Sequence, residues 1–479
     1  MFDLGPRSNG EYLPRPTTPV VAEAVRRLLA HADATAPRLG MSRRRFLHTL
    51  CGAATMLTVL AACDKESRQA TPGSTGAATE PGGTFAVTTT ATTDPDAALD
   101  ELTGTEFIFD VQTHLLDFDL PDTRDIGFGQ GFPYAQCGEG DWRACFGVDH
   151  WLEELFLRSD TTMAVISAVP ILATPNPLSI EVMQAAREAA ARVCGGEGRV
   201  FLHGQVNPNV GDFAAAADGM RRLAAANPIG AWKVYTHVPN NRGWYLDDHD
   251  GDAVQCGQAF LDVVREVGPR TVCVHKGLGG GSAHSSPVDI GPAAAANPDI
   301  NFVAYHSGYD SDAEGPFTPE SADVGVNRLI ASLDAAGLPP GANVYAELGS
   351  TWWNVMRDPT QAAHVLGKLI TRVGEDRVLW GTDSIWYGSP QDQIQAFRTF
   401  EITDAFQDEF GYAALTDEVK RKIFGANAAQ LYGIEPVTST CTADPVALEE
   451  YRAALAPKIS YGPESVAEAR AVMRAHGMA

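Results

Sequence analysis

Basic residues are scarce in this chain. Lysine and arginine number 36 against 60 aspartates and glutamates, a net charge of −24, which excludes DNA or RNA as the main partner because phosphate binding needs a basic surface. No Gly-x-Gly-x-x-Gly turn follows any candidate strand, which argues against a dinucleotide-binding open sheet. The apolar run from Leu47 to Ala62 is shorter than the ~20 residues that a membrane-spanning helix requires. From Asp64 to about Gly104 large apolar side chains are nearly absent, and Thr, Ala, Gly and Pro dominate. Such a segment buries too little surface to offset its ordering entropy and reads as a tether.

The N-terminus carries a recognisable pattern. Ser42-Arg43-Arg44-Arg45-Phe46-Leu47 opens the short apolar run, which closes on Leu60-Ala61-Ala62-Cys63. The pattern resembles a twin-arginine export signal followed by a lipobox, with Cys63 as the lipidated residue. It implies an exported lipoprotein, anchored in the membrane and facing the periplasm or the cell exterior. Of the eight cysteines, Cys137 and Cys145 share one loop and can pair in an oxidising compartment or stand as buried thiols. Cys273 reads as a core residue.

Beyond Gly104, eight β-rich runs alternate with helical patterns. The runs are Phe107–His114, Met163–Val169, Val200–Val206, Ile229–Thr236, Thr271–His275, Ile300–His306, Val344–Leu348 and Val378–Asp383. Helical periodicity is found over Ile180–Val193, Phe213–Ala226, Ala253–Val267 and Pro359–Val373. Eight such repeats predict an α/β fold, a (β/α)8 TIM barrel with long loops at the C-terminal face of its strands. The expected order is a disordered or misassigned start over 1–40, the signal over 41–63, a flexible linker over 64–104, the barrel over 105–435 and a helical extension over 436–479.

Barrel enzymes place their chemistry at the C-terminal ends of the strands. Here Gln112 and His114 close the first run, Lys233 lies late in the fourth, and His275, His306 and Asp383 end the fifth, sixth and eighth. Five strand ends carrying charged, imidazole or amide groups are poorly explained as core filler. Long loops on the same face carry Trp142, Trp151, Trp244, Tyr309, Trp352, Trp353, Trp386 and Tyr387, consistent with a walled aromatic pocket. Arg242, Lys276 and Trp352 are candidates for substrate binding. The acidic stretch Asp247–Asp252 imitates a calcium loop but lacks the downstream glutamate, and reads as a solvated loop that caps the next helix at Asp252.

Asp110-Val-Gln-Thr-His114, Val274-His-Lys-Gly277, Tyr305-His-Ser-Gly308, Trp380-Gly-Thr-Asp-Ser384 and the closing Lys422–Gly433 occur in that order. Together they resemble the amidohydrolase superfamily, in particular the amidohydrolase-related branch that includes decarboxylases of small acids. The resemblance covers roughly Phe107 to Ile434. It implies a divalent metal, zinc first with manganese or another ion as alternatives, held by His114, His275 and Asp383. His306 would be a further ligand or would stabilise the developing oxyanion, Asp383 would be the general base, and Lys233 would bridge two metals if carboxylated or else be a cationic substrate contact. Gln112 stands where a second histidine would be expected. It can serve as a weak oxygen ligand or orient water, or its presence can shift the metal toward Lys233, His275 and His306.

The leading expectation is an exported metal-dependent hydrolase in which activated water attacks a carbonyl of a small organic substrate. A metal-dependent decarboxylase on the same site is the alternative. A barrel that has lost its metal and survives as a binding protein is the third. The partners expected are a small-molecule substrate and the membrane through Cys63, with no nucleic acid and with homo-oligomerisation left open.

Overall fold

The computed structural model describes residues 2, 4–69, 80–118, 137, 141–172, 176–237, 243–249, 254–279, 281–310 and 313–441. Eight parallel strands succeed one another in a single sheet. They are β1 (Phe109–Thr113), β2 (Met163–Ile166), β3 (Val200–Gln205), β4 (Ala231–Tyr235), β5 (Thr271–His275), β6 (Asn301–Tyr305), β7 (Val344–Glu347) and β8 (Val378–Leu379). The circle closes between the first and last strands. Val111 N–H donates to Trp380 O at 3.1 Å and Asp383 N–H to Gln112 O at 3.0 Å, and Thr113 bridges Ser384 in parallel. The predicted barrel is therefore the observed fold, with every predicted strand in place.

Two predicted helices, Ile180–Val193 and Phe213–Ala226, have the expected bounds. A third begins later, at Gly257, and it is Asp248 that accepts from Gly257 N–H at 2.7 Å and Gln258 N–H at 2.9 Å. The acidic stretch thus caps a helix, but through an earlier aspartate, and Asp252 lies outside the described residues. The fourth, Pro359–Lys368, continues through a wider turn over Leu369–Gly374.

The N-terminal third departs most from expectation. Residues 1–40 are expected to be a disordered or misassigned start; in the structure Pro19–Thr35 is a helix capped by Thr18, whose side chain accepts from Val21 N–H. Val21, Ala24, Leu28 and Ala32 form one buried face at helical spacing, packed in the same core as Ala54, Leu57 and Leu60 of the helix Leu50–Gln69. The expected linker is also partly ordered. Gly83–Phe85 pairs antiparallel with Phe400–Ile402, and Pro95–Leu102 is a helix capped by Asp94. Small residues permit this: a Cβ on Gly83 would collide with Phe400 and with the carbonyl of Pro359. These short segments rely on burial against their neighbours, which local composition does not reveal. Among the described residues no helix is long and apolar enough to cross a membrane.

Two disulfides are present, Cys137–Cys145 and Cys194–Cys441. The second, together with Arg199 bonded to the carbonyls of Ser439 and Thr440, fastens the chain beyond the barrel. Of the helical extension expected over 436–479, residues 436–441 are not helical and the rest lies outside the described residues.

His364 is buried among Phe406, Phe410 and Tyr412, and burial with the nearby Lys368 and Arg68 lowers its pKa to about 3. Below pH 6.5 the unfolded chain binds a proton at this residue that the folded chain refuses, so stability falls as pH drops. Between pH 7 and pH 5 the loss should be about 2 kcal/mol. Denaturant unfolding of wild type and His364→Phe at both values should show a smaller pH dependence in the variant.

Candidate metal centre

The polar strand ends meet at one mouth of the barrel in two groups. In the first, His114 Nε2 stands 3.1 Å from Asp383 Oδ1, and His114 Nδ1 is 2.7 Å from the carbonyl oxygen of Ser167. In the second, the rings of His275 and His306 lie 4.6 Å apart, and His306 Nδ1 is 2.8 Å from the carbonyl of Gly349. A carbonyl only accepts, so in both rings the Nδ1 atom carries a proton; His306 Nε2 is left with a lone pair, while His114 Nε2 faces the Asp383 carboxylate. Burial lowers the pKa of His306 to about 4 and, with the neighbouring His306 and His237, carries His275 well below the ordinary value. Neutral imidazoles with inward lone pairs are the ligand form of histidine.

The buried nitrogens confirm that something is missing from the bonding pattern. His306 Nε2 and both ring nitrogens of His275 have no hydrogen-bond partner. At the other group, His114 Nε2 faces a carboxylate oxygen at 3.1 Å, a separation that either a proton on Nε2 or a cation bridges. Burial pushes Asp383 upward, but His114, the influence of His306 and the Ser350 hydroxyl hold it well below the usual carboxylate range. The residues present therefore fit a divalent ion.

The backbone is shaped to deliver these side chains. His306, Ser307, Ser350 and Asp383 adopt φ values of 60°, 52°, 55° and 61°, a left-handed conformation that costs a non-glycine residue on the order of 1–3 kcal/mol. Asp110 holds the loop of Asp383 in place: its carboxylate accepts from Thr382 N–H and Gln112 N–H at 3.1 Å each, and from the Thr382 hydroxyl. A side chain on Gly381 would collide with Glu347, and one on Gly349 with Gln112. That close approach explains the glycine within Trp380-Gly-Thr-Asp.

Gln112 donates from Nε2 to Asp383 Oδ1 at 2.9 Å, while its Oε1 has no partner. As placed, Nε2 orients the carboxylate, and Oε1 is left as an unengaged oxygen donor. Lys233 is fully buried over the rings of Tyr305 and Tyr235, its Nζ without a hydrogen-bond partner, and burial lowers its pKa to about 8. Lys276 is not a substrate contact. Its ammonium pairs with Asp289 at 2.7 Å and donates to His284 O at 3.0 Å, all in the interior. Trp352 is likewise a core residue, packed on Phe397 and Phe400 with its indole N–H donating to Gln393 O. Arg242 lies outside the described residues.

Other groups at the mouth were not read from the sequence. Glu347, at the end of β7, accepts from His306 N–H at 3.0 Å and from Gly349 N–H at 2.5 Å, and burial raises its pKa to about 8. Ser350 donates to Asp383 Oδ2 at 2.6 Å. His237 lies 4.8 Å from the His275 ring and two residues beyond β4, on the Lys233 side of the alternation, a signal that could have located it. Trp386 stacks on His114 at 5.5 Å, and Trp353 on Tyr387 at 4.7 Å.

The Amidohydrolase family model matches residues 110–434. The chain belongs to that family. As a family member it is expected to be an enzyme with a metal-dependent amidohydrolase-type site. No curated protein matches. Solved structures similar to the chain include an uncharacterised TIM-barrel protein from Bordetella bronchiseptica, at 14% identity over 68% of this chain and 99% of that one, with a TM-score of 0.41. A putative 2-pyrone-4,6-dicarboxylic acid hydrolase from Pseudomonas putida shows 16% identity over 69% and 99%, with a TM-score of 0.40. The 5-carboxyvanillate decarboxylase from Sphingomonas paucimobilis shows 15% over 69% and 99%, also at 0.40. At these levels the similarities do not distinguish one reaction from another.

Lys276→Met should destabilise the protein by about 3–5 kcal/mol, because it leaves Asp289 buried and uncompensated. Denaturant unfolding gives that figure, and the same variant should bind metal as wild type does.

Proposed function

We propose that the protein is a metal-dependent hydrolase acting on a carbonyl of a small organic substrate. The observation that carries the reading is two buried groups at one end of the barrel, His114 with Asp383 and His275 with His306, in which His306 Nε2 and both ring nitrogens of His275 have no hydrogen-bond partner. A divalent ion held there supplies Lewis acidity, which activates water near neutral pH and polarises a carbonyl.

The chain's own groups supply the rest. Asp383 Oδ1, steadied by Gln112 Nε2, is placed to accept the proton of the attacking water and to return it to the leaving group. Ser350 fixes the other carboxylate oxygen, so proton acceptance falls to the one beside His114. His306 was expected either as a ligand or as an oxyanion donor. With its Nδ1 proton engaged by Gly349 O, its inward nitrogen is an acceptor, which supports the ligand role. Trp386 and Trp353 with Tyr387 are the aromatic wall.

A decarboxylase on the same residues is the second reading. It is favoured by Lys233, whose buried, partnerless ammonium would suit a substrate carboxylate. A panel of lactones, amides and aromatic acids separates the two. The hydrolase reading expects cleavage without carbon dioxide, abolished by chelation and restored by Zn2+ or Mn2+. Carbon dioxide release would transfer the assignment to the lyase, and metal content well below one equivalent to a binding protein. Asp383→Asn should lower kcat by roughly 10²–10⁴-fold.

We also infer export through the twin-arginine motif with lipidation at Cys63. Two disulfides among the described residues support an oxidising compartment. In the full-length fold Cys63 is buried within the helix Leu50–Gln69, so its modification requires that helix to unpack. Labelled palmitate should enter the wild-type chain and not Cys63→Ala, and Arg43→Lys with Arg44→Lys should retain the protein inside the cell. Incorporation into Cys63→Ala would contradict the assignment.

A further inference from the structure

The mouth of the barrel is occupied by the chain's own N-terminal segment. Arg7, Ser8, Asn9 and Tyr12 are buried, ahead of an exposed stretch over residues 16–19. Arg357 donates to Gly5 O at 2.9 Å, and the Tyr12 hydroxyl lies 3.0 Å from that of Tyr387. Between these anchors the segment turns inward. Asn9 Nδ2 reaches Asp383 Oδ2 at 2.8 Å and Glu11 Oε2 at 2.7 Å, and Glu11 Oε1 stands 3.6 Å from His275 Nε2.

This arrangement bears on the ligand that the first strand lacks. Where a metal strand would offer two donors, β1 offers His114 and a neutral amide turned toward Asp383. Glu11 supplies an acid on the other side. One of its oxygens and one nitrogen each of His275 and His306 lie within 4.8 Å of one another. Tetrahedral ligands of one ion stand about 3.3–3.6 Å apart when each bond is ~2.0–2.2 Å, so shifts of at most about 1.5 Å bring all three to a shared ion. The amide nitrogen of Asn9 meanwhile sits between two carboxylates, a position that a cation would fill with more stabilisation than a neutral amide.

We propose that Glu11 is a ligand of the metal in the full-length chain, and that residues 5–12 thereby close the barrel mouth against substrate. The proposal rests on the metal-dependent reading of the site. Ion binding and docking of the segment are then one event, each strengthening the other. Cleavage before Cys63 would remove Glu11 and Asn9 together and leave the site open to water and substrate. An enzyme held closed until processing is the functional consequence.

The test uses the full-length chain, stripped of metal and titrated with Mn2+ and with Zn2+, with hydrogen exchange followed over residues 5–12. Wild type should bind one equivalent, exchange in the segment should slow when metal is added, and EDTA should strip the ion slowly. In Glu11→Gln, affinity should fall about tenfold or more, the slowing should vanish, and EDTA should strip the ion faster. Equal affinity with no effect of metal on exchange would overturn the proposal and leave the metal-dependent reading intact. Failure of wild type to bind either ion would overturn both. Should Glu11→Gln not fold, wild-type exchange with and without metal decides alone, since the proposal requires metal to protect the segment.

Discussion

Burying imidazoles at the ends of parallel strands obliges the fold to decide which ring nitrogen keeps its proton. Here two backbone carbonyls decide it. Ser167 O takes the Nδ1 proton of His114, and Gly349 O takes that of His306. Each interaction also fixes the ring plane, so Nε2 has one direction available. At His306 burial makes protonation costly and the inward nitrogen has no hydrogen-bond partner. The same geometry that makes the empty arrangement unfavourable makes a divalent ion fit.

The surrounding structure serves that constraint. Asp110 is buried, yet its carboxylate is fully engaged in tying β1 to the loop of Asp383. Glu347 anchors the backbone of His306 and Gly349 together, so the carbonyl that sets the His306 tautomer is itself positioned. Left-handed residues at Ser350 and Asp383 turn the chain at the points where side chains must face the mouth. The cost of these conformations is offset by core packing beneath them, where Trp352, Trp380, Phe397, Phe400 and Phe424 interlock.

Alternation and spacing made the barrel legible, because each strand is short, β-branched and bounded by turn residues, and because His275, His306 and Asp383 fall at the ends of their strands. Chemistry that depends on neighbours distant in sequence was not legible. Lys276 reads as a free cation until Asp289 is seen beside it, and Trp352 reads as a pocket wall until Phe397 encloses it. Glu347 stands two residues before Gly349 in an ordinary run, and only the backbone turn at His306 gives it a role. The pairing of Cys194 with Cys441 spans 247 residues and follows from the fold alone. The helix Pro19–Thr35 has clear periodicity, but it lies upstream of Met41 and a signal-like motif, which reads as a disordered or misassigned start. Gln112 looked like an altered ligand, and its amide proves to be directed at Asp383.

The most direct test of the metal centre is anomalous diffraction from crystals grown with Mn2+. The account predicts one peak at the barrel mouth, within ~2.0–2.3 Å of a nitrogen of His275 and of His306, with Glu11, Asp383 or His114 completing the shell. A mouth without a peak, its imidazole nitrogens hydrogen-bonded to water, would contradict it.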